Sequence, residues 1–320
     1  MKTIGVLTSG GDAPGMNAAV RAVVRTAIAN GIKVMGIRRG YCGLIDDDII
    51  ELDINSVSDI INRGGTILYS SRCPEFKTEE GMQKAISNCK KHGIEGMVVI
   101  GGDGSYRGAR DMSLRGFPCV GVPGTIDNDI SSTEYTIGFD TAMNTAMDMI
   151  DRLRDTTQSH FRCSVVEVMG HGAGDIAINT ALAVGATACI VPEIPFNYEK
   201  DVIEKIEYSK ANGKTHFIIV VSEGITDVTE LAKKIEDETG IESRATILGH
   251  VQRGGSPTVR DRVAASTLGY EAVMLLKDGI GNRVVGFKDN KVVNYDIFEG
   301  LNMKKKFDEL TYTVVNTTSL

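Results

Sequence analysis

The chain alternates short apolar runs with longer stretches in which apolar positions recur every three or four residues. The short runs are Ile4–Thr8, Lys33–Ile37, Met97–Ile100, Cys119–Val122, Ser164–Val168, Ala188–Val191, Phe217–Val221 and Ala245–Leu248. Most are apolar throughout rather than at every second position, the pattern of strands covered on both faces in a parallel sheet. Between them the spacing predicts helices over Met16–Asn30, Glu79–Lys91, Thr141–Asp155, Glu199–Ala211 and Arg260–Lys277. Gly31, Gly93, Gly213 and Gly240 fall where C-terminal helix caps belong. Val284–Lys288 and Val292–Tyr295, joined through Asp289-Asn290, read as a β-hairpin. Repeated βα units predict an α/β fold with right-handed crossovers.

No Pro-, Gly- or Ser-rich linker marks a domain boundary. At roughly 150 residues per domain, the 320 residues predict two domains, with the Thr141–Asp155 helix as a bridge. An apolar share of 42% with 24% charged residues excludes a disordered or fibrous chain. Lys and Arg number 35 against 42 Asp and Glu, a net charge of −7, which argues against general nucleic-acid or acidic-membrane binding. A small anion held by a few placed arginines remains open. The six cysteines form no C-x-x-C pair, so spacing suggests neither a zinc site nor a redox motif, and a reducing compartment fits. Met1-Lys2-Thr3-Ile4-Gly5 runs directly into a strand pattern, so no signal peptide is expected, and runs such as Phe217–Val221 are too short to span a membrane.

Glycine is over-represented, 36 of 320 against a usual share of about 7%, so backbone must approach something closely at several places. Gly10-Gly11-Asp12 and Gly101-Gly102-Asp103 each follow a predicted strand and open a helix, which suggests one cleft with two glycine-rich walls. In Gly101-Gly102-Asp103-Gly104-Ser105, with Gly108 one turn on, bare backbone amides and a helix N-terminus suit phosphate oxygens, and Asp103 suits Mg²⁺. The plainer reading is a tight turn with Asp as a cap. Neither G-x-x-x-x-G-K-[ST] nor G-x-G-x-x-G is present, which argues against a P-loop NTPase and a Rossmann-type dehydrogenase.

Pro123-Gly124-Thr125-Ile126-Asp127-Asn128-Asp129 follows another strand. In extended backbone Thr125, Asp127 and Asp129 point one way, so one carboxylate can take a proton from an attacking hydroxyl and another can hold metal-bound water. Asn and Asp also build ordinary turns. Arg72 precedes the Cys73-Pro74 turn and is a candidate to bridge phosphates. His250 and Arg253 in a glycine-bounded loop, with Arg162 and Arg244 at strand starts, offer donors to a sugar phosphate, though each is as readily an ion-pair partner. Arg21 and Arg25 share one helix face, which spacing alone reads as solvated.

Together these motifs, with Glu167–Gly170 and Gly249–Pro257, resemble the bacterial ATP-dependent phosphofructokinase family over nearly the whole chain. The resemblance implies two Rossmann-like lobes, with mostly parallel sheets flanked by helices and the active site in the cleft between them. Residues 1–138 plus about 251–301 would form the ATP-binding lobe, and 139–250 plus about 302–320 the sugar-phosphate-binding lobe. It implies phosphoryl transfer from Mg²⁺-ATP to the 1-hydroxyl of D-fructose 6-phosphate, giving fructose 1,6-bisphosphate and ADP, by a cytoplasmic homotetramer that shares active sites between subunits. Gly11, Arg72, Cys73, Gly102, Asp103, Gly104 and Ser105 would contact ATP, with Asp103 on Mg²⁺. Asp127 would be the base, with Thr125 and Arg72 on the transferred group and Asp129 assisting the metal. Thr125, Ile126, Asp127, Met169, Gly170, His171, Glu223, His250 and Arg253 would line the sugar-phosphate site, and Arg162 and Arg244 would come from a neighbouring subunit.

Pyrophosphate-using relatives typically carry Asp at position 104 and Lys at 124, so Gly104 and Gly124 imply ATP; pyrophosphate is the alternative, and a catalytically weak nucleotide-sensing subunit another. His171 stands where the family usually has Arg. Of the family's effector-site residues, Arg21, Arg25, Asp59, Arg154, Gly185 and Lys214 are matched, while Thr187, Asn212 and Thr215 replace Glu, Arg and Lys. An altered response to ADP and phosphoenolpyruvate is implied.

Overall fold

The computed structural model describes residues 1–319. Its strands are β1 (Thr3–Ser9), β2 (Lys33–Ile37), β3 (Ile49–Leu52), β4 (Met97–Gly101), β5 (Cys119–Pro123), β6 (Cys163–Val168), β7 (Ala188–Ile190), β8 (Phe217–Ser222), β9 (Ser243–Ile247), β10 (Arg283–Lys288) and β11 (Lys291–Asp296). Its helices are α1 (Met16–Ala29), α2 (Tyr41–Asp46), α3 (Glu79–Lys91), α4 (Asp103–Leu114), α5 (Phe139–Ser159), α6 (Asp175–Val184), α7 (Glu204–Ala211), α8 (Val228–Thr239), α9 (Val259–Lys277), α10 (Ile297–Asn302) and α11 (Glu309–Thr318).

The chain divides into two compact units. The first comprises Met1–Thr141 and Arg253–Lys305; the second comprises Ala142–Gln252 and the segment from Lys306 onward, so the division falls inside α5. Leu320, the last position of the expected second lobe, lies outside the described residues. The first unit carries a seven-stranded sheet in the order β11-β10-β5-β4-β1-β2-β3, parallel except at its two edges, where β2 pairs β3 and β10 pairs β11 antiparallel. The second carries a four-stranded, wholly parallel sheet, β7-β8-β6-β9. Both are α/β units. Among the described residues no helix is long and apolar enough to cross a membrane.

The predicted strands are found with boundary shifts of one or two residues, because their central residues are buried on both faces: β4 and β5 are buried at every position. Two expectations need correction. The helix expected over Glu199–Ala211 starts as a π-turn, Glu199–Ile203, before α7. The last strand of the second sheet begins at Ser243 and ends at Ile247, earlier than Ala245–Leu248. The edge strand β3 has no counterpart in the apolar pattern, since two of its four residues are exposed.

One buried carboxylate organises the first unit. Asp261, in the first turn of α9, is fully buried and accepts from the Tyr135 hydroxyl, the Gly138 amide at 2.8 Å, the Thr141 amide at 2.9 Å and the Thr141 hydroxyl. Burial, the dominant influence, raises its carboxyl above the usual range, while these donors pull it back. We predict that Asp261→Ala, which strands these donors in a dry site, lowers unfolding free energy by about 3–5 kcal/mol. Urea titration checks this; a loss below about 1 kcal/mol counts against the account.

Candidate functional site

In the first unit the loops that matter leave the carboxyl ends of β1, β4 and β5. Ser9 pairs with Gly101 and Gly101 with Pro123, so the three strands end level. A Cβ built at Gly101 would lie 2.4 Å from the Ser9 carbonyl oxygen and 2.4 Å from the Ser105 hydroxyl, so only glycine fits. The two Gly-Gly-Asp turns are therefore neighbours. The Ser105 hydroxyl is buried without a hydrogen-bond partner, and a Cβ on Gly10 would stand 3.4 Å from it. An unpaired buried donor beside bare backbone at a helix N-terminus is what an oxyanion of a polyphosphate would satisfy. Gly104 has open space where a Cβ would be. Gly108 also makes room for Tyr41: a Cβ there would lie 2.5 Å from the Tyr41 ring, whose hydroxyl donates to the Ser105 carbonyl at 2.6 Å.

The segment after β5 is tied to the segment after β4 by the Gly124 amide, which donates to the Gly101 carbonyl at 3.1 Å. Thr125 and Ile137 hold the far end closed, the Thr125 amide donating to the Ile137 carbonyl at 3.1 Å and the Ile137 amide to Pro123 at 2.9 Å. The Thr125 hydroxyl accepts from the Asp127 amide at 3.2 Å and lies 3.2 Å from Asp127 Oδ2, to which it can donate. The backbone is not extended here, contrary to the alternation argument. Asn128 is left-handed at φ 54°, fixed by its Oδ1 accepting from the Thr136 amide at 3.0 Å. Thr125 and Asp127 thus meet through a turn, and Asp129 lies beyond the reversal.

A third loop is brought alongside by residues the sequence reading missed. Asn17, 1% exposed on α1, donates to the Arg63 and Gly64 carbonyls and accepts from the Ile67 amide at 2.8 Å. Thr8, on β1, shares a hydrogen bond with Thr66 at 2.8 Å and donates to the Tyr69 carbonyl at 2.8 Å. These contacts hold the 62–73 segment, with exposed Arg72 and half-buried Cys73, beside the carboxyl end of β1. A polar residue on the apolar stripe of α1 was the available signal for Asn17.

Asp103 is half-buried and paired with Arg107 at 2.7 Å. Among the described residues no group of three or more His, Cys, Asp or Glu side chains is arranged to hold a metal. That donor set fits Mg²⁺ entering with phosphates and water around one or two carboxylates, and does not fit an all-protein metal cage. Arg253 crosses the first glycine turn, reaching Asp12 at 2.5 Å, and a Cβ on Gly11 would lie 2.9 Å from its guanidinium.

The second unit places its residues at both edges of its sheet. At the carboxyl edge, Glu223 accepts from the Gly170 amide at 3.1 Å and the His171 amide at 2.8 Å, with His171 left-handed at φ 49° and exposed. Buried Gln252 accepts from the Met169 amide at 2.9 Å, and exposed His250 lies in the Gly249–Arg253 turn. Glu167 is raised above the usual carboxylate range by burial, then by Glu223 and Asp227. At the amino edge, Arg162 and Arg244 both grip Glu242, at 2.8 and 2.5 Å, which lowers that carboxyl, Arg162 contributing most. Arg154 donates to the Val184 carbonyl beside Gly185, and Lys214 is lowered by burial first and by Arg154 second. In the first unit Arg21 and Arg25 are half-buried on α1, and Asp59 is an exposed left-handed residue.

A sequence profile described as Phosphofructokinase matches residues 3–276. This chain belongs to the phosphofructokinase family. It is 56% identical over 320 residues to an ATP-dependent 6-phosphofructokinase of Bacillus licheniformis and 55% identical over 320 residues to one of Clostridioides difficile, each match covering 100% of both chains. A phosphofructokinase structure from Saccharomyces cerevisiae matches with TM-score 0.87 and 33% identity, over 100% of this chain and 47% of that one. A pyrophosphate-dependent phosphofructokinase from Marinobacter aquaeolei shares the fold, with TM-score 0.86 over 100% of this chain and 91% of that one, at 22% identity.

If Gly104 borders bound phosphate, a charged side chain there would meet it. We predict that Gly104→Asp folds normally, because the side chain enters open space, yet raises KM for a nucleotide triphosphate at least about tenfold through like-charge contact. Unchanged KM in steady-state assays would remove Gly104 from the phosphate cradle.

Proposed function

We propose that this phosphofructokinase transfers the terminal phosphoryl group of ATP to the 1-hydroxyl of D-fructose 6-phosphate, releasing fructose 1,6-bisphosphate and ADP. The observation that carries this reading is the Gly124-to-Gly101 backbone tie, which joins a bare phosphate cradle to the turn presenting Asp127. Gly11, Gly102, Gly104 and Ser105 offer backbone amides and a hydroxyl to the phosphates, with Arg72 and Cys73 completing the nucleotide side. Asp103 would hold Mg²⁺, with Asp129 assisting. When bound, the metal offsets charge on the phosphate oxygens.

Asp127 takes the proton of the attacking hydroxyl, while Thr125 orients that carboxylate and, with Arg72, supports the group in transit. Candidates for the sugar phosphate are Met169, Gly170, Glu223 and His250 in the second unit, and Ile126 and Arg253 in the first. His171 supplies less positive charge at neutral pH than an arginine would. With Gly104 and Gly124 both lacking side chains, nothing in the sequence favours pyrophosphate as donor, and an assay with each donor separates the two. The reading places the enzyme in the cytoplasm. Arg21, Arg25 and Asp59, and separately Arg154, Gly185 and Lys214, form the effector set, weakened toward ADP because Thr187 supplies no carboxylate.

The homotetramer with shared sites gains support from distance. Arg162 and Arg244 lie at the opposite end of β6 and β9 from Met169 and His250. Six residues of strand at about 3.3 Å each separate those ends by about 20 Å, too far for one sugar phosphate. A neighbouring copy supplies the two arginines.

Asp127→Asn is predicted to lower kcat by about 10²–10⁴-fold with little change in KM for fructose 6-phosphate. Near-normal turnover would end the base assignment. Mixing inactive Asp127→Asn protein with Arg162→Ala protein, after partial dissociation and reassembly, is predicted to regain activity that neither has alone. Failure of exchanged hybrids to regain any counts against sharing.

A further inference from the structure

Four of the six cysteines, Cys89, Cys119, Cys163 and Cys189, are buried to 1% exposure or less. The other two are half-buried and share one place. Cys42, in the first turn of α2, donates its thiol to the Arg72 carbonyl at 3.3 Å and lies 3.6 Å from the Ser71 hydroxyl. Cys73 directly follows the Arg72 carbonyl that the Cys42 thiol reaches, so the two side chains start side by side. Tyr41, the residue before Cys42, and Phe76, three residues after Cys73, stack with ring centroids 4.0 Å apart, which ties the two segments together. Cys73 leads directly into Pro74 and the 3₁₀ turn Glu75–Lys77.

We propose that Cys42 and Cys73 form an oxidisable dithiol, a modification site for small-molecule disulfides, whose closure displaces Arg72 and weakens ATP binding. The effect on ATP rests on the placement of Arg72 and Cys73 in the nucleotide site given above; the bond itself does not. The chemistry balances as thiol–disulfide exchange. The Cys42 thiolate attacks one sulfur of the small disulfide and expels one thiolate, which takes up the proton Cys42 gave. Cys73 then loses its proton and attacks the Cys42 sulfur of the mixed disulfide, and the second small thiolate leaves protonated. The protein has lost two thiol hydrogens and the small disulfide has been reduced to two thiols. Burial first, and Cys42 next, push the Cys73 thiol up to about 11, so the second step accelerates as pH rises. Closure also removes the Cys42 thiol that now donates to the Arg72 carbonyl.

The test uses the full chain with oxidised glutathione as probe, followed by dithiothreitol. Expected are an intact mass lower by the two thiol hydrogens with no retained glutathione, and a digest in which the peptides bearing Cys42 and Cys73 are joined. KM for ATP should rise about tenfold or more, the loss of roughly one charge-assisted contact, and return on reduction. Cys42→Ser, which keeps a donor to the Arg72 carbonyl, should retain reduced-state kinetics within about twofold and show neither the joined peptides nor the loss of ATP affinity. A stable glutathione adduct without the joined peptides overturns the site, as does equal inhibition of Cys42→Ser. Joined peptides with unchanged KM overturn the control of ATP binding. If reduced Arg72→Ala has a normal KM for ATP, the nucleotide-site assignment fails instead, and the mass result still judges the dithiol.

Discussion

The geometry of the reactive segment depends on a carboxylate kept out of water. Residues 124–137 leave β5 and return to it, closed by the Thr125–Ile137 pairing. Backbone pairing fixes where that excursion starts and ends but not its orientation. Asp261 supplies the rest, because it gathers the Tyr135 hydroxyl and the Gly138 and Thr141 amides onto one buried side chain of α9. A buried carboxylate is costly unless its acceptor capacity is filled, so the arrangement is cooperative: loop, helix start and acid are stable together. Asp127, two residues past the Thr125–Ile137 closure, is positioned by it.

Glycine carries the other half of the site. Small side chains would fill the space between β1 and β4 at Gly101, where a Cβ would lie 2.4 Å from backbone oxygen. The same loops are packed against others through glycine: a Cβ at Gly64 would lie 2.4 Å from the Gly255 carbonyl oxygen. The first unit thus brings its loops close by deleting side chains, leaving amides and the Ser105 hydroxyl as donors. A ligand of many acceptors and little apolar surface matches such a lining.

How much of this was legible in the chain follows from burial. Strands covered on both faces read as unbroken apolar runs, and β2 was placed to the residue. The edge strand β3 follows Asp46-Asp47-Asp48 and has two exposed residues, so it lacked both apolar continuity and alternation. The Gly-Gly-Asp turns were legible because a glycine pair directly after an apolar run marks a tight turn or a close approach. At Gly108 the glycine makes room for the Tyr41 ring, a neighbour the sequence does not name. The period-two reading of Thr125, Asp127 and Asp129 failed at Asn128, whose left-handed backbone depends on Thr136, eight residues on. Asn17 and Asp261 look like ordinary helix polar residues, and their loads are long-range. The same holds for Cys42 and Cys73, whose spacing matches no motif.

Charge resolves the remaining tension between a chain of net −7 and polyanionic ligands. In the first unit two arginines beside the glycine turns are already paired, Arg253 with Asp12 at 2.5 Å and Arg107 with Asp103 at 2.7 Å; in the second, Arg162 and Arg244 are paired with Glu242 at 2.8 and 2.5 Å. Such pairs hold the cations in place while screening the site's field from solution. A phosphate that enters must exchange for a carboxylate, so its gain is the difference between two ion pairs rather than a whole one. A single weak anion gains little by that exchange. A ligand offering several phosphate oxygens to several arginines at once gains repeatedly.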